Sequence, residues 1–406
     1  MNKICVWGLG YIGFPTSLLL ASKGFNVVGI DTNASVVKSA NSPDPHIPEA
    51  GLSLLLDKAH QEKKFKAQTD PEEGNVHIIC VPTPFENINN KKKCDLSFVI
   101  SAFKSVAKVY RPGDLIALES TVPIGTMERL EKLFFENRPD INDLNMVYCP
   151  ERILPGNLLH ELQFNDRVIG GKSENALEKA RNFYSSFVSG EIYLTNFRTA
   201  ELCKLTENSF RDVNIAFANE LSMICENTDI DVYELISLVN KHPRVNVLQP
   251  GIGVGGHCIA VDPWFIVEFD ELNTKMIRLA RERNQGKMLH CVNRIIECIE
   301  DFEYKFQINP KIGFLGLAYK ADIDDLREAP AVAIVNEIMK MHNDLMVCEP
   351  NLKSHCDFML RDIDFVLSNA DLIFGLVAHK EFIEAANNLR FADKRFIDFC
   401  GITNRL

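Results

Sequence analysis

The sequence has no run of about eighteen apolar residues, and its start lacks the positive region and long apolar core of a secretory signal. Its 12 cysteines form no CxxC pair and no regular spacing. We therefore expect neither a metal site nor a disulfide framework, and thiols kept in a reducing compartment. Positive charge is in deficit, because 44 Lys and Arg face 55 Asp and Glu. These absences disfavour membrane and nucleic-acid partners and favour a cytoplasmic protein, while leaving room for a local basic pocket.

The length and composition allow more than one domain. With 406 residues, 46% of them hydrophobic, the chain can bury two or three cores and is unlike a disordered protein. The sequence therefore predicts a globular protein of several domains.

A glycine-rich turn follows the first apolar segment. Residues 3–7 read as a short buried strand, GLGYIG at 8–13 as a turn that opens a helix, and 25–30 as a second strand that ends at Asp31. The glycine spacing alone is a weak signal, and an α/β turn without a nucleotide is the alternative. Because the motif lies between two strands and is followed by an acidic residue, we predict a dinucleotide site.

Each part of this pattern has a physical role. Gly8 permits the tight turn, Gly10 lets the backbone approach a pyrophosphate, and Gly13 lets the helix pack against the strand. The N-terminus of the helix supplies amide donors and the positive end of its dipole. Asp31 is placed to accept a hydrogen bond from a ribose 2′-hydroxyl and would repel a 2′-phosphate, so the pattern predicts NAD rather than NADP.

Polar residues follow three further predicted strands, at 76–81, 114–118 and 146–149. Thr83 follows the first, Thr121 the second and Glu151 the third. Ligands of open parallel sheets bind at the carboxyl ends of the strands, so the two threonines could touch cofactor or substrate, with helix capping as the alternative. Glu151 could act as a general base.

A long segment without proline or glycine, 199–227, predicts a helix. Lys204, Asn208 and Arg211 are spaced i, i+4 and i+7, so they share one face. A lysine and an amide there could hold an oxyanion, and an arginine could hold a carboxylate or phosphate. The alternative is a solvated polar stripe, which the apolar residues on both flanks disfavour. A second helix is expected at about 273–298.

The stretch 249–265, QPGIGVGGHCIAVDPWF, places four glycines ahead of His257 and Cys258, with Asp262 four residues after the cysteine. Glycine costs conformational entropy, so this loop predicts positive φ angles or a ligand close to the main chain. We interpret Cys258 as a nucleophile. The alternative is a buried structural cysteine, the usual state of this residue.

The last hundred residues begin a second α/β unit. PKIGFLGL at 310–317 repeats the strand and glycine turn, a helix is expected at 329–342, and further strands at 345–348, 371–377 and 395–399. The turn lacks the third glycine of the dinucleotide pattern, so we expect a ligand other than NAD. Lys320 and Arg327 after the strand suit a diphosphate, with surface ion pairs as the alternative.

Together these motifs carry a resemblance. GLGYIG, VPTP, STVPIGT, CPERILPGN, the Lys204 helix, GVGGHCIAVDPWF and GLAYKADIDDLREAP resemble the UDP-glucose/GDP-mannose dehydrogenase family over the whole chain. CKLTENSFRDVNIAFANELS, HPRVN and GGHCIAVDPWF resemble in particular the branch that oxidises UDP-N-acetyl-D-mannosamine. The resemblance implies an α/β fold with two Rossmann-like doubly wound domains joined by a long-helix central dimerisation domain, with domains at 1–195, 196–303 and 304–406.

The resemblance also implies a reaction. A primary alcohol is oxidised to a carboxylate in two steps with two NAD molecules, and the uronate product serves surface polysaccharide synthesis. Cys258 would form a thiohemiacetal and then a thioester. Lys204 and Asn208 would stabilise the oxyanions, while Asp262, Glu151 and Thr121 would position or activate the water that hydrolyses the thioester.

Further contacts are implied residue by residue. The nucleotide sugar is expected to meet Arg152, Ile153, Lys204, Asn208, Arg211, His242, Arg244, Gly255, Tyr319 and Lys320. NAD is expected to meet Gly8, Gly10, Tyr11, Ile12, Gly13, Asp31, Thr83, Thr121 and Arg327. In the family, Arg244 commonly reaches a site in the neighbouring subunit and the central helices form the dimer core, so we expect a homodimer or a higher homo-oligomer.

The chain differs from the UDP-glucose dehydrogenases at one position and departs from the family pattern at another. UDP-glucose dehydrogenases carry a second glutamate four residues after the first, where this chain has Pro155. Cys400 stands where relatives carry a basic residue. Cys400 leaves the exact sugar open, and no motif states the orientation of the hydroxyl that distinguishes the epimers. UDP-N-acetylglucosamine, UDP-N-acetylgalactosamine and UDP-glucose are therefore alternative substrates, and an NAD-binding regulator that has lost its chemistry is a more distant alternative.

Overall fold

The computed structural model describes residues 3–43, 47, 49, 51–88, 91–153, 157–226, 228–256, 258–355, 357–388, 390–392 and 394–403. The chain forms two compact units, 1–207 with 264–269 and 208–263 with 270–406. Within the described residues, no helix is both long and apolar enough to cross a membrane, and no group of three or more His, Cys, Asp or Glu side chains could hold a metal ion.

The first unit contains a doubly wound sheet and a small hairpin. Its strands are β1 (Lys3–Trp7), β2 (Asn26–Ile30), β3 (Phe65–Gln68), β4 (Val76–Ile79), β5 (Phe85–Ile88), β6 (Lys91–Cys94), β7 (Leu115–Leu118), β8 (Asn145–Tyr148), β9 (Arg167–Gly171) and β10 (Ile192–Thr195). Its helices are α1 (Gly13–Ser22), α2 (Ala34–Ala40), α3 (Leu52–Gln61), α4 (Ser97–Val109), α5 (Thr126–Asn137), α6 (Leu158–Phe164) and α7 (Glu174–Tyr184).

The large sheet has eight strands in the order β10-β9-β8-β7-β4-β1-β2-β3. Neighbouring strands are parallel except β8 and β9, which pair antiparallel. The sequence of β1 explains its place: Ile4 and Val6 pack into one hydrophobic layer and Cys5 and Trp7 into the other. A parallel strand covered on both faces needs such a continuous apolar run.

Two long helices dominate the middle of the chain. Helix α8 (Phe197–Glu226) begins in the first unit and ends in the second, and α11 (Lys275–Phe306) lies in the second. Two shorter helices, α9 (Val232–Val239) and α10 (Asp262–Phe269), lie between them in sequence.

The second unit ends in a four-stranded parallel sheet in the order β12-β11-β13-β14. Its strands are β11 (Ile312–Leu315), β12 (Leu345–Cys348), β13 (Leu372–Gly375) and β14 (Phe396–Asp398), and its helices are α12 (Pro330–Met339), α13 (Ile363–Asn369) and α14 (Lys380–Asn387). Phe314 and Leu315 face opposite hydrophobic layers, as in the first sheet. The predicted fold class is therefore confirmed.

The boundaries differ from the prediction where the sequence pattern is ambiguous. Helix α11 continues to Phe306, beyond the predicted end at 298, because the buried Ile295, Ile299 and Phe302 keep the helical spacing. The hairpin of β5 and β6 was not predicted, since its lysine-rich second strand has no strand-like pattern. The division at 195 and 303 stays a prediction.

Candidate active site

The glycine turn after β1 has the geometry that a dinucleotide site needs. Gly8 has φ +93°, and a Cβ there would approach the Cys80 carbonyl oxygen to 2.6 Å. A Cβ on Gly13, the first residue of α1, would overlap the Gly8 carbonyl oxygen. At Gly10 a Cβ would meet no atom within 4 Å, so the turn has open space beside its backbone. These residues fit a bound pyrophosphate.

Asp31 lies directly after β2 and reaches back to this turn. Its Oδ2 accepts a hydrogen bond from the Leu9 amide at 2.8 Å, and its Oδ1 accepts one from the Asn33 amide at 2.8 Å. The carboxylate is thus held beside the glycines, where a ribose is expected. Tyr11 is exposed and Ile12 half-buried.

Four strand ends bring the predicted polar residues to one edge of the sheet. Strands β8, β7, β4 and β1 are consecutive neighbours, and they are parallel. Glu151, Thr121, Thr83 and the glycine turn follow these strands in that order. Thr83 and Thr121 are half-buried. This edge therefore gathers candidates for both cofactor and substrate contacts within the first unit.

Glu151 is buried, and both of its carboxylate oxygens are occupied. Oε1 accepts from the Arg152 amide at 2.6 Å, and Oε2 accepts from Nη1 of Arg167 at 3.1 Å. Arg167 is only 2% exposed and also donates to the Leu162 carbonyl at 3.1 Å. Arg167 was not predicted as a site residue, because a charged residue at the head of a strand gives no signal of its partner. Glu151 is therefore held by a buried guanidinium.

A second buried acid lies beside this pair. Glu119 accepts from the Tyr184 hydroxyl at 2.7 Å and from the Cys80 thiol at 3.4 Å. Burial raises the pKa of Glu119, against the opposing effect of the Arg167 charge. Arg167 therefore lies near two carboxyl groups and donates a hydrogen bond to one of them, Glu151.

The other residues of this loop region are partly engaged. Arg152 pairs with Glu207 at 2.8 Å and donates to the Asp166 carbonyl at 3.1 Å. Ile153 is half-buried. The loop after Thr121 is held by Glu201 of α8, which accepts from the amides of Gly125 and Met127 at 2.7 and 2.8 Å. Pro155 and His257 lie outside the described residues.

Helix α8 carries the predicted oxyanion-holding face. Lys204 is buried, Asn208 half-buried and Arg211 exposed. Asn208 donates to Oδ2 of Asp262 at 2.6 Å. Asp262 is 3% exposed and is the first residue of α10. The structure thus brings together two residues that stand 54 positions apart in sequence.

Cys258 differs from the other cysteines in its exposure. Among the cysteines in the described ranges it alone is exposed. Burial raises the pKa of the Cys5, Cys149, Cys291 and Cys348 thiols to about 12, which makes them poor nucleophiles near neutrality. The Cys258 carbonyl accepts from the amides of Val261 and Asp262 at 3.0 and 2.9 Å, so the cysteine opens the turn that leads into α10.

The glycines before Cys258 allow a close backbone approach. Gly255 lies against the Glu328 carbonyl, and a Cβ on it would also come within 2.8 Å of Tyr319. Gly256 has φ +83°, and its amide donates to the Arg327 carbonyl at 3.1 Å. Three predicted contact residues, Gly255, Tyr319 and Arg327, are therefore neighbours.

The charged contact residues of the second unit have different environments. The Arg327 guanidinium pairs with Asp325 at 2.6 Å, as the ion-pair alternative predicted. Lys320 is exposed. His242 and Arg244 are also exposed, in the turn after α9. Cys400 is buried. The roles of His242 and Arg244 in substrate binding stay predictions.

The second glycine turn is closed by its own acidic residue. Gly316 has φ +97°, and the amides of Leu317 and Ala318 donate to Oε2 of Glu349 at 2.7 and 3.0 Å. Glu349 also contacts Nε2 of His379 at 3.0 Å. The pKa of Glu349 lies below its usual value: burial opposes this shift, but the hydrogen bonds from His379 and the two amides outweigh burial. The Glu349 carboxylate is therefore held by protein groups of its own unit.

Comparison with known proteins identifies the relatives of this chain. Three models of the UDP-glucose/GDP-mannose dehydrogenase family match it: the NAD binding domain over residues 2–188, the central domain over 198–286 and the UDP binding domain over 313–405. The chain is 45% identical to UDP-N-acetyl-D-mannosamine dehydrogenase of Campylobacter jejuni, covering 98% of this chain and 99% of that protein. It is 44% identical to NDP-N-acetyl-D-galactosaminuronic acid dehydrogenase of Ralstonia nicotianae, over 94% of this chain and 92% of the relative.

Solved structures agree with these matches. The structure of UDP-D-ManNAc dehydrogenase from Pyrococcus horikoshii superposes with a TM-score of 0.90 at 36% identity, covering 100% of this chain and 96% of that one. The prediction of an NAD-dependent oxidoreductase is confirmed by these comparisons and by the fit of the glycine turn. The chain belongs to the UDP-glucose/GDP-mannose dehydrogenase family and carries its NAD-binding, central and UDP-binding domains in that order.

Proposed function

We propose that the protein oxidises UDP-N-acetyl-D-mannosamine to the corresponding uronate in two steps, with Cys258 as the nucleophile. The observation that carries the chemistry is that Cys258 is exposed in the turn before α10. The first residue of α10, Asp262, accepts a hydrogen bond from Asn208. The substrate rests on the names of relatives that are 43–46% identical to this chain. NAD, when bound, supplies the hydride acceptor for both oxidations.

Cys258 would handle the intermediate of the reaction. Its thiolate would add to the aldehyde carbon formed in the first oxidation and hold it as a thiohemiacetal. Oxidation of that adduct gives a thioester, and water then releases the carboxylate and returns the thiol. An exposed thiol is a requirement for this role, and the buried cysteines do not meet it.

Lys204 and Asn208 would stabilise the negative oxygen that develops at each step. They lie one helical turn apart on α8. The buried Lys204 would supply charge, and the Asn208 amide, whose orientation is fixed by its bond to Asp262, would supply a hydrogen bond.

Glu151, Asp262 and Thr121 would position or activate the hydrolytic water. Glu151 is held in position by its pair with Arg167, and a positioned carboxyl group can serve as a general base. Asp262 follows Cys258 by four residues, and its backbone amide is bonded to the cysteine carbonyl.

The substrate would meet residues of both ends of the chain. Gly255 and Tyr319, which are neighbours, support a nucleotide contact in the second unit. We assign the remaining contacts to Arg152, Ile153, Arg211, His242, Arg244 and Lys320. NAD would bind Gly8, Gly10, Tyr11, Ile12, Gly13, Asp31, Thr83 and Thr121, with Arg327 as a further contact.

We also propose a cytoplasmic homodimer formed through α8. Phe210, Phe217 and Ile224 are 67%, 50% and 61% exposed and are spaced seven residues apart. They form an apolar stripe along one helix face, which a second copy of the same helix could cover. Arg244 is exposed, so its side chain could contact the second copy.

The test is an assay of purified protein with NAD and each of four sugar nucleotides. We expect UDP-N-acetyl-D-mannosamine to give two NADH per uronate at the highest kcat/KM. A preference for UDP-N-acetylglucosamine, UDP-N-acetylgalactosamine or UDP-glucose would replace the substrate but keep the chemistry. UDP-N-acetylgalactosamine is the specific rival substrate, because the Ralstonia relative is named as an N-acetyl-D-galactosaminuronic acid dehydrogenase.

Variants separate the chemistry from the substrate. Cys258→Ser is expected to abolish uronate formation while NAD binding persists. Cys298→Ser, which changes a half-buried cysteine of α11, is the matched control. A Cys258→Ser enzyme that makes uronate at the native rate would remove the nucleophile assignment.

A further inference from the structure

A buried polar network connects α8 and α11 in the second unit. Nη1 of Arg281 donates to Oδ1 of Asp212 at 2.6 Å, and both side chains are at most 2% exposed. Asn284 donates through Nδ2 to the Asp212 carbonyl at 3.0 Å and to the same Oδ1 at 2.8 Å. Burial raises the pKa of Asp212 against the attraction of Arg281, so the charge is costly to hold there. A buried ion pair often adds little net stability, so stability alone does not explain why Asp212 and Arg281 are buried together.

This network contacts the cysteine loop on both sides of Cys258. Asn219 donates through Nδ2 to Oδ1 of Asn284 at 2.9 Å, and its own Oδ1 accepts from the Gly251 amide at 2.9 Å. At the other end, Nη1 of Arg281 donates to the Ile259 carbonyl at 3.4 Å. The network therefore holds the loop at its first glycine and at the residue after the cysteine.

The glycine-rich loop before Cys258 has few side chains that could define its backbone conformation. Between Gly251 and Gly256 four of six residues are glycine, so few side chains pack to define the backbone. Gly253 has φ +134°, and a Cβ there would come within 3.0 Å of the Asn284 carbonyl. Hydrogen bonds to buried side chains therefore restrain where Cys258 lies, in addition to the backbone bonds at Gly256 and Cys258.

We infer that Asp212, Asn219, Arg281 and Asn284 are positioning residues that set the location of Cys258 by clamping both ends of its loop. The effect of these residues on catalysis rests on the proposed function, whereas their effect on the location of Cys258 does not. A reactive group displaced by about 1 Å can cost about 100-fold in rate, so a small shift of this loop matters.

The first experiment uses Arg281→Lys, which keeps a positive charge opposite Asp212 but shortens the reach to the Ile259 carbonyl. We expect kcat to fall by at least about tenfold, with KM for the sugar nucleotide and the Kd of NAD within about threefold of the native values. Arg294→Lys is the matched control, because it makes the same change on the same helix at an exposed pair with Glu297.

A second readout needs no substrate. Iodoacetamide labelling of Cys258, followed by mass spectrometry of its peptide, should slow by at least about threefold in Arg281→Lys, since the thiol loses its place before the N-terminus of α10. If the native enzyme oxidised none of the sugar nucleotides, the proposed function would fail while this labelling difference still tested the clamp.

Asn219→Ala provides a variant without a charge change, should Arg281→Lys fail to fold. It leaves the Gly251 amide without its acceptor and should reproduce both the loss in kcat and the slower labelling. In the native protein, amide hydrogen exchange of the 249–261 peptide should be slow despite its glycines. Native kcat and labelling rates in a folded variant, or fast exchange of this peptide in the native protein, would overturn the inference.

Discussion

The acidic residue after the second strand of each sheet has a different role in the two units. Asp31 follows β2 and is half-buried, with one backbone amide on each carboxylate oxygen. Glu349 follows β12, is buried, and is occupied by two amides of the glycine turn and by His379. Glu349 is therefore held inside its glycine turn by protein groups, whereas Asp31 keeps a half-buried carboxylate beside the first glycine turn.

Replacing Asp31 by Ala should weaken NAD and reduce its preference over NADP. Loss of a charged hydrogen bond costs about 1.5–3 kcal/mol, or about ten- to a hundredfold in Kd. Removal of the carboxylate also removes the repulsion of a 2′-phosphate. Titration of both cofactors measures the change, with the exposed Asp70→Ala as control. An unchanged NAD to NADP ratio would contradict the ribose role.

His77 is a buried histidine that makes the first unit sensitive to acid. Burial, reinforced by the Arg111 charge, lowers its pKa from 6.5 to about 4. Its Nδ1 accepts from the Trp7 indole at 3.3 Å. Between pH 6.5 and about 4 the unfolded chain binds a proton that the folded protein does not, so the unfolding free energy falls as the pH falls through this window.

We expect this loss to reach about 3 kcal/mol by pH 4 and to be absent in His77→Gln. Urea unfolding followed by tryptophan fluorescence measures it, because both tryptophans belong to the first unit. The exposed His160→Gln is the control. Equal pH slopes for the native protein and His77→Gln would refute the assignment.

At the scale of elements, the strand order decides which loops meet. Strands β8, β7, β4 and β1 are separated in sequence by helices, yet they are consecutive in the sheet. Their carboxyl ends therefore collect Glu151, Thr121, Thr83 and the glycine turn. Strand β9 adds Arg167, which pairs with the residue that follows β8.

Arg167→Met should destabilise the first unit by about 3–5 kcal/mol, because it leaves the buried Glu151 carboxylate unpaired. Arg181→Met, at an exposed pair with Glu178, should cost less than about 1 kcal/mol. Urea unfolding compares the two variants. The double variant Arg167→Met with Glu151→Gln should recover part of the loss, since both charges are then gone. A cost equal to that of Arg181→Met would show that the pair contributes little.

At the scale of the whole molecule, α8 carries residues of both the proposed active site and the proposed dimer surface. The helix places Glu201 under the Thr121 loop, Lys204 and Asn208 in the proposed oxyanion site, and an apolar stripe of Phe210, Phe217 and Ile224 in solvent. A dimer that covers this stripe would also restrain the helix that carries the catalytic residues.

Phe217→Asp should dissociate the proposed homodimer, because it places a charge in the middle of the apolar stripe. Phe98→Asp changes a side chain of equal exposure, 49% against 50%, on α4 and should leave the assembly intact. Sedimentation velocity at micromolar concentration measures both. A native protein that is a fully active monomer would rule out the dimer.

The sequence by itself determined the two mainly parallel sheets, the NAD fingerprint and the identity of Cys258 as the cysteine to examine. These features depend on local patterns: apolar runs for buried strands and glycines where the backbone needs a positive φ or a close approach. The end of α11 was placed too early, although Ile299 and Phe302 continue its helical spacing. The β5–β6 hairpin was missed because its lysine-rich strand gives a weak local signal.

Only the tertiary structure decided which polar groups pair. Arg281 reaches Asp212 across 69 residues, Asn208 reaches Asp262 across 54, and Arg167 reaches Glu151 across 16. No spacing rule relates such residues, because their contact depends on how helices and strands pack rather than on the pattern within one element. For the same reason, packing alone established that Cys258 is exposed while Cys5, Cys149, Cys291 and Cys348 are buried.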